Sequence, residues 1–483
     1  MTAQLDPSAV ERRWRELLAA EQALRGVGAA QLWRAWSAAL ERLQDDGDLH
    51  TALSAARGEH PATVRAGVAA VLEGLCDEDA RRHFDELTQQ FASREAGRSG
   101  EDASSSSGRR ALVVLPVNVP LLAAQSAFFA LAARRPTLFK LPSAIARHTQ
   151  SPTGSTESTQ SARSADDGAA ALLAALGDEL PALARLFASA RWPGGAPGYR
   201  ELERRLAEEA RPLVVYGGDA ALASYRPGAA AASPAGSGDL RAEFGPRGSA
   251  ALVPARWLAE LDAPSRRAAA DRLARDVVLF DQRGCLSPRT VLLLLDGAAA
   301  ATAESRAAAV TQAVAWLRAG LERSAVELPG RPAAVEERAA LRHVASQAEL
   351  QGRAVQLGTW GAVVEAPAEA LPEPLPGSRA LSLTACDAVR CAELLASRAE
   401  ELQGLAIAGL EAEEAPEEIR LPLRPGALSR LLGDAALEAR IVALRERGTR
   451  VAAAGHLQRT GSRWRNGGVD LAELFLPADR GGG

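Results

Sequence analysis

The residues that could do covalent chemistry are few. The chain holds four cysteines, Cys76, Cys285, Cys386 and Cys391. Cys285 has the most distinctive setting: in "LFDQRGCLSPRTVLLLL" (279–295) it follows a helical segment and precedes a strongly apolar run. A free cysteine is usually a small buried hydrophobe. Here Gly284 removes a side chain beside the thiol, so a substrate carbonyl could approach the backbone closely. The flanks "DQRG" and "LSPR" read as polar loop. The thiolate is the reactive form, and Arg283 or Arg289 would favour it. Core filler and nucleophile both stand as readings of Cys285 at this point. Cys386 and Cys391, in "LTACDAVRCAELL", fall in a helical pattern as packing residues, and Cys76 in "EGLCDED" reads as structural.

Other polar groups sit near the ends of apolar runs. "LPVNVP" (115–120) sets Asn118 between two prolines, either closing a turn on its own backbone or aiming an amide at a developing oxyanion. In "LFKLPS" (138–143) Lys140 ends a short strand three residues before Ser143. Such a lysine is either a solvated strand end or, since ligands bind at the carboxyl ends of strands in α/β sheets, a partner for ribose hydroxyls or a 2′-phosphate. "VVYGGD" (214–219) puts Gly217 and Gly218 between a strand and a helix. That suits a plain turn or the backbone approach of a pyrophosphate, without the full G-x-G-x-x-G pattern. Glu243, in "RAEFGPRGSAALVP" (241–254), is a solvated carboxylate or a general base.

The elements that must position these groups alternate between helix and strand. Helical spacing runs through 7–95, followed by a small, polar stretch at 96–108 with the composition of disorder. Strands are expected near 109–120, 136–143, 211–219, 249–255, 290–297, 361–367 and 404–410. Helices are expected over 121–135, with Pro120 in its first turn, and over 169–189, 199–210, 263–280 and 298–323. The order predicts an α/β fold with parallel sheets, doubly wound and in two lobes. "QSPTGSTESTQSARSADDG" (150–168) reads as a disordered surface insertion. At 483 residues the chain is long enough for two or three domains. Its net charge of −4 and lack of a basic run argue against nucleic acid as a partner. Sparse cysteine, no apolar signal core and no run long enough to span a bilayer point to a soluble, cytoplasmic protein.

Taken in order, the Asn in a Pro-bounded turn, the strand-end Lys-x-Pro-Ser, strand-Gly-Gly, Glu-x-Gly and Gly-Cys resemble the aldehyde dehydrogenase superfamily. The stretches "NVP", "FKLPS", "VVYGGDAALASYR" and "FDQRGCLSPRTV", with the Trp-containing tail "GSRWRNGGVDLAELF" (461–475), look like the acyl-CoA reductase family that includes the fatty acid reductase subunit of bacterial luciferase operons. The resemblance runs over roughly 110–475. It departs at the tail, where Gly467 stands near an expected Asp, and at Glu243, which reads "EFGPRG" 42 residues before Cys285.

The resemblance implies an aldehyde dehydrogenase-like fold. A helical N-terminal region (1–97) would pack on a Rossmann-type cofactor domain (109–245). An α/β catalytic domain (246–430) would carry Cys285, and a C-terminal segment (431–483) would return to the core or an oligomer interface. It implies Cys285 as the acyl-accepting nucleophile, Asn118 as oxyanion donor and Glu243 in the base position. Lys140, Ser143, Gly217 and Gly218 would hold NADPH, with NADH as the alternative. The substrate would be a long-chain fatty acyl-CoA reduced to the aldehyde. An acyl-supplying partner enzyme and a homo-oligomer follow by the same analogy. The other readings are a carrier-protein thioester as substrate and a non-catalytic protein that keeps the fold.

Overall fold

The computed structural model describes residues 5–24, 26–96, 110–142, 167–226, 240–369, 372–412, 424 and 426–476. Ser143, the polar stretch beyond Ala96 and all but the last two residues of the 150–168 insertion lie outside these. The chain forms two compact units. One comprises Met1–Pro61, Val68–Pro246 and the chain from Asp470 on; the other comprises Ala62–Gly67 and Arg247–Val469.

The first unit opens with amphipathic helices, among them Ala29–Asp45, whose buried residues Leu32, Trp36, Ala39, Leu40 and Leu43 recur at three- and four-residue spacing. Five short strands follow: β1 (Ala111–Val114), β2 (Thr137–Leu141), β3 (Phe187–Arg191), β4 (Leu213–Tyr216) and β5 (Arg241–Phe244). They pair in parallel in the order β3-β2-β1-β4-β5. Strands β2 and β3 lie to one side of β1, and β4 and β5 to the other, which makes the gap between β1 and β4 the switch point of the sheet. Residues 187–191 form a strand rather than the end of the helix read over 169–189. "FASAR" carries little strand signal of its own, and pairing along β2 decides its state. The helix read over 121–135 is shorter, Ala123–Ala132, because Leu121 behind Pro120 takes a positive φ of 58°.

The second unit holds seven strands: β6 (Gly248–Pro254), β7 (Pro288–Leu294), β8 (Val355–Gly358), β9 (Gly361–Glu365), β10 (Ala380–Cys386), β11 (Leu402–Ile407) and β12 (Arg450–Ala453). Their order is β12-β11-β6-β7-β10-β9-β8, parallel except for the β8–β9 hairpin. Both faces are covered, so β7 reads as a continuous apolar run. Val291 and Leu293 join one core with Leu273, Val277 and Leu317, while Leu292 and Leu294 join another with Leu394, Leu428 and Ile441. Cys386 ends strand β10 instead of lying in a helix; Cys391 belongs to the helix Ala388–Ser397 that follows.

The helix read over 298–323 is two helices, Gly297–Ala301 and Ala303–Glu327. Thr302 breaks them apart, its hydroxyl accepting from the Ser305 N–H at 3.0 Å in a capping arrangement. The longer one packs closely on the helix Ala263–Val278: a Cβ on Gly320 would stand 2.6 Å from the Ala270 carbonyl oxygen. This crossing anchors the helix that delivers the chain to Cys285. Among the described residues no helix is long and apolar enough to cross a membrane.

Candidate active site

The first unit gathers its candidate groups along one edge of its sheet. Asn118 lies just beyond β1, Lys140 near the end of β2, and Gly217 and Gly218 directly after β4, all at the carboxyl ends of parallel strands. The turn carrying Asn118 is fixed through its backbone. The buried Arg57 guanidinium donates to the Val117 carbonyl at 2.7 Å and to the Asn118 carbonyl at 2.7 Å, and pairs with buried Glu59 at 3.0 Å. Gly217 is required by packing, since a Cβ there would come 2.8 Å from Ala221 Cβ; Gly218 faces open space.

Lys140 is buried, its Nζ 5.7 Å from the centre of the Trp192 ring. Burial pulls its pKa down to about 8, against the pull of the Glu203 carboxylate, with Arg191 adding to the depression. Glu203 is fully buried. It accepts from Trp192 Nε1 (2.9 Å), the Gly195 N–H (3.0 Å) and the Tyr225 hydroxyl (3.1 Å). A Cβ on Gly194 would lie 3.4 Å from Lys140 Nζ and 3.6 Å from Glu203 Oε1, so any side chain at this position would touch both groups.

Glu243 sits in edge strand β5. Its carboxylate accepts from Arg226 (2.9 Å) and from Arg241 (2.8 Å). Burial works to raise its pKa, but the two guanidiniums win and hold it below the usual carboxylate value. A carboxylate so paired is a weak proton acceptor.

In the second unit Cys285 lies in a turn at the amino edge of the sheet, just before β7. The turn begins with three successive left-handed residues, Phe280 (φ 56°), Asp281 (φ 51°) and Gln282 (φ 59°). For non-glycine residues this conformation costs roughly 1–2 kcal/mol each, so the surroundings must hold it. Asp281, fully buried, pairs with Arg379 at 2.9 Å and Arg331 at 3.3 Å. Gln282 donates to the Pro288 and Ala380 carbonyls (2.8 and 3.0 Å) and accepts from the Ala380 N–H (2.8 Å). The "DQ" read as polar loop is therefore buried, because its charge and amide find partners at the start of β10.

Gly284 serves packing as well as access: a Cβ there would stand 3.2 Å from Phe280 and 3.3 Å from Ser287 Oγ. Gln458 ties in a further segment, donating to Ser287 Oγ at 2.9 Å and to the Asp276 carbonyl at 3.0 Å. The buried Asp276 carboxylate accepts from the Gly455 and Leu457 N–H groups at 2.6 and 3.1 Å. Ser249 of β6 donates to the Cys285 carbonyl at 2.7 Å.

Cys285 itself is partly exposed. Desolvation pushes its thiol up to about 11, against the opposing pull of the backbone N–H groups of Cys285 and Leu286 and the charge of Arg247. The cation opposing that rise is Arg247, from the segment before β6. Arg289 donates to the Gln282 carbonyl at 2.9 Å, and Arg283 acts on Glu337. Of the other cysteines, Cys386 and Cys391 are buried beside each other and Cys76 is half-buried.

A five-stranded doubly wound unit and a cysteine-bearing α/β unit in one chain are the elements of the aldehyde dehydrogenase-like fold, and solved structures agree. A benzaldehyde dehydrogenase from Corynebacterium glutamicum superposes with a TM-score of 0.54 at 13% identity, covering 84% of this chain and 82% of its own. An aldehyde dehydrogenase from Physcomitrella patens gives 0.52 at 13%, covering 84% and 78%. A glyceraldehyde-3-phosphate dehydrogenase from Methanocaldococcus jannaschii gives 0.54 at 11%, covering 96% and 88%. No curated protein sequence matches the chain. Residues 159–423, more than half of the chain, match the acyl-CoA reductase (LuxC) family, and the protein belongs to that family. It is accordingly an oxidoreductase of the acyl and aldehyde level.

Proposed function

We propose that the protein reduces a long-chain fatty acyl-CoA to the aldehyde through an S-acyl intermediate on Cys285, drawing on NADPH. The observation that carries this reading is the nucleophile turn. A cysteine follows three strained residues held by a buried ion pair, and its carbonyl is fixed by the Ser249 hydroxyl at 2.7 Å. The thiolate attacks the thioester carbonyl and the electron pair moves to the oxygen. Asn118 and the Cys285 N–H stabilise that oxyanion, an effect typically worth about 3–4 kcal/mol per donor. Collapse expels the CoA thiolate and leaves the acyl group on sulfur. The nicotinamide nucleotide, when bound, supplies the hydride that takes the acyl group to the aldehyde level. Cys285 then leaves as thiolate or, with a proton, as thiol.

The first unit has features that fit such a nucleotide. Its switch-point edge carries open space at Gly218, and a side chain at Gly194 would come into contact with the Lys140 ammonium, 3.4 Å from a Cβ there. Lys140, Gly217 and Gly218 would hold it, with Ser143 as a further contact, and a protonated Lys140 favours a 2′-phosphate. No water is consumed in the reaction, so the paired state of Glu243 is compatible with turnover.

The test is intact-protein mass after incubation with tetradecanoyl-CoA, followed by NADPH. The expected result is one acyl adduct that maps to Cys285, is cleared by NADPH with release of aldehyde, and is missing in Cys285→Ala. A wild-type protein that takes no acyl group from CoA thioesters of any chain length would overturn the reading.

A further inference from the structure

Ser287 brackets the strained part of the nucleophile turn. Its backbone N–H donates to the Gly284 carbonyl at 3.0 Å, closing a four-residue turn whose second residue is Cys285. Its hydroxyl donates to the Leu279 carbonyl at a long 3.4 Å, on the far side of the left-handed residues 280–282. One buried serine thus ties down both ends of the strained segment.

Gln458, from the turn after β12, holds that serine. Its amide nitrogen donates to Ser287 Oγ at 2.9 Å and to the Asp276 carbonyl at 3.0 Å. A carbonyl oxygen only accepts, so the nitrogen must face Asp276 and the orientation of the amide is fixed. The second amide hydrogen goes to Ser287 Oγ, which leaves the serine proton for Leu279. The Gln458 amide oxygen lies beside the same turn, 3.6 Å from where a Cβ on Gly284 would stand.

The turn bearing Gln458 is itself locked to the helix that ends at Val278. The fully buried Asp276 carboxylate accepts from the Gly455 N–H at 2.6 Å and the Leu457 N–H at 3.1 Å. Gly455 takes a φ of 93°, and a Cβ there would stand 2.9 Å from Arg272 Cβ. Buried Arg450 donates to the Leu457 carbonyl at 3.0 Å and to the His456 carbonyl at 3.1 Å. Backbone partners before Gln458 therefore fix where its side chain starts, and Asp276 and Ser287 fix where it ends.

We propose that Gln458 is a positioning residue for the nucleophile: through Ser287 it fixes the backbone on either side of Cys285, and with it the direction of the sulfur and N–H toward the acyl carbonyl. The proposal rests on the reading of Cys285 as the nucleophile and gives the segment after β12 a part in the reaction. Gln458 touches no reacting atom, so its loss acts on the rate of acyl transfer and not on the affinity for acyl-CoA.

The experiment compares wild type, Gln458→Met, Ser287→Ala and the double variant in two assays on the full-length protein. Met keeps the length of Gln without its donors. The first assay is single-turnover acylation of Cys285 by tetradecanoyl-CoA, read by intact mass. Each single variant should lower the limiting rate about tenfold or more, with the half-saturating concentration within about twofold of wild type. The double variant should be no slower than the slower single, since both cut one chain; independent roles would multiply to about a hundredfold. The second assay is alkylation of Cys285 by iodoacetamide at fixed pH, read by peptide mass mapping. A relaxed turn gives the thiol more water, so both single variants should alkylate about threefold faster or more, without a further gain in the double. If Gln458→Met does not fold, Gln458→Asn takes its place, because it keeps an amide in the site but is too short to span both partners. Wild-type rates in the single variants would overturn the proposal, as would effects that multiply in the double or a loss of affinity at an unchanged limiting rate. Alkylation needs no acyl-CoA. A wild-type protein that takes no acyl group, with variants that share the gain in alkylation, would therefore count against the proposed function and leave the role of Gln458 standing.

Discussion

Replacing Asp281 with Asn tests whether the buried ion pair holds the nucleophile turn. Phe280, Asp281 and Gln282 all sit in the left-handed region, a strain of roughly 3–6 kcal/mol for three such residues at 1–2 kcal/mol each. The hydrogen bonds of Gln282 offset about 3 kcal/mol of this at about 1 kcal/mol apiece. They do not suffice alone at the upper end of the range. Asn keeps the shape of Asp but removes the charge facing Arg379, which is itself almost fully buried. Breaking a buried pair from one side costs about 3–5 kcal/mol, because the remaining charge loses its compensation. The loss should therefore be about 3 kcal/mol in urea unfolding, with the rate of S-acylation falling at least tenfold under conditions where the variant remains folded. The carbonyl, N–H and thiol of Cys285 shift together when the turn relaxes. An Asp281→Asn variant that unfolds within 0.5 kcal/mol of wild type (roughly the neutral range for a substitution) and acylates at the same rate would refute this account.

Two further outcomes concern the first unit. Burial holds the pKa of Lys140 at about 8, below its unfolded value near ~10.4, so the folded chain releases this proton first and stability rises with pH between those values. Relative to Lys140→Met, wild type should gain roughly 2–3 kcal/mol over that interval in urea titrations; parallel curves would remove the effect. Glu203→Gln leaves a buried donor without an acceptor, costing about 1–3 kcal/mol, and withdraws the charge that sustains protonated Lys140. The KM for NADPH at pH 8 should rise while acylation of Cys285 stays unchanged, and an unaltered KM would count against a link between Glu203 and cofactor binding.

The parts of this fold that were legible in the sequence are those whose signal is local. β1, β4 and β7 announce themselves as short β-branched or leucine runs, and the helix ending at Val278 by its spacing. β3 and β10 were hidden because "FASAR" and "ALSLTAC" become strands only beside β2 and β7, and the small and hydroxyl residues in them give no strand pattern by themselves. At the site, Cys285 and Lys140 stood out by their setting in the chain. Their supports did not. Nothing in "FDQRG" foretells three positive φ values, and the partners of Asp281 come from Arg379 and Arg331, far along the sequence. Arg57, which fixes the Asn118 turn, is equally remote. Glu203 did leave a trace. It falls with Leu202 and Leu206 on the buried stripe of the helix Arg200–Glu209, a carboxylate where the pattern calls for an apolar residue.

The high pKa of the Cys285 thiol bears on how such a site can work. Many reactive cysteines are kept partly ionised at neutral pH, whereas a value of about 11 leaves the resting thiol almost wholly protonated. Forming the thiolate at pH 7.5 then costs about 5 kcal/mol, taking 1.36 kcal/mol per pH unit. The penalty on rate is smaller than the penalty on population. Nucleophilicity rises with pKa, with a Brønsted slope near ~0.4–0.5 for thiol exchange. About half of the lost decades are thereby regained, leaving a deficit of roughly a hundredfold. One oxyanion donor is worth about 10²–10³-fold, so a single well-aimed N–H or amide offsets it. A protonated resting thiol reacts slowly with stray electrophiles and oxidants, while its thiolate, once formed against the acyl carbonyl, is a strong nucleophile. Desolvation sets the first property, and Arg247 with the Cys285 and Leu286 N–H groups supports the second.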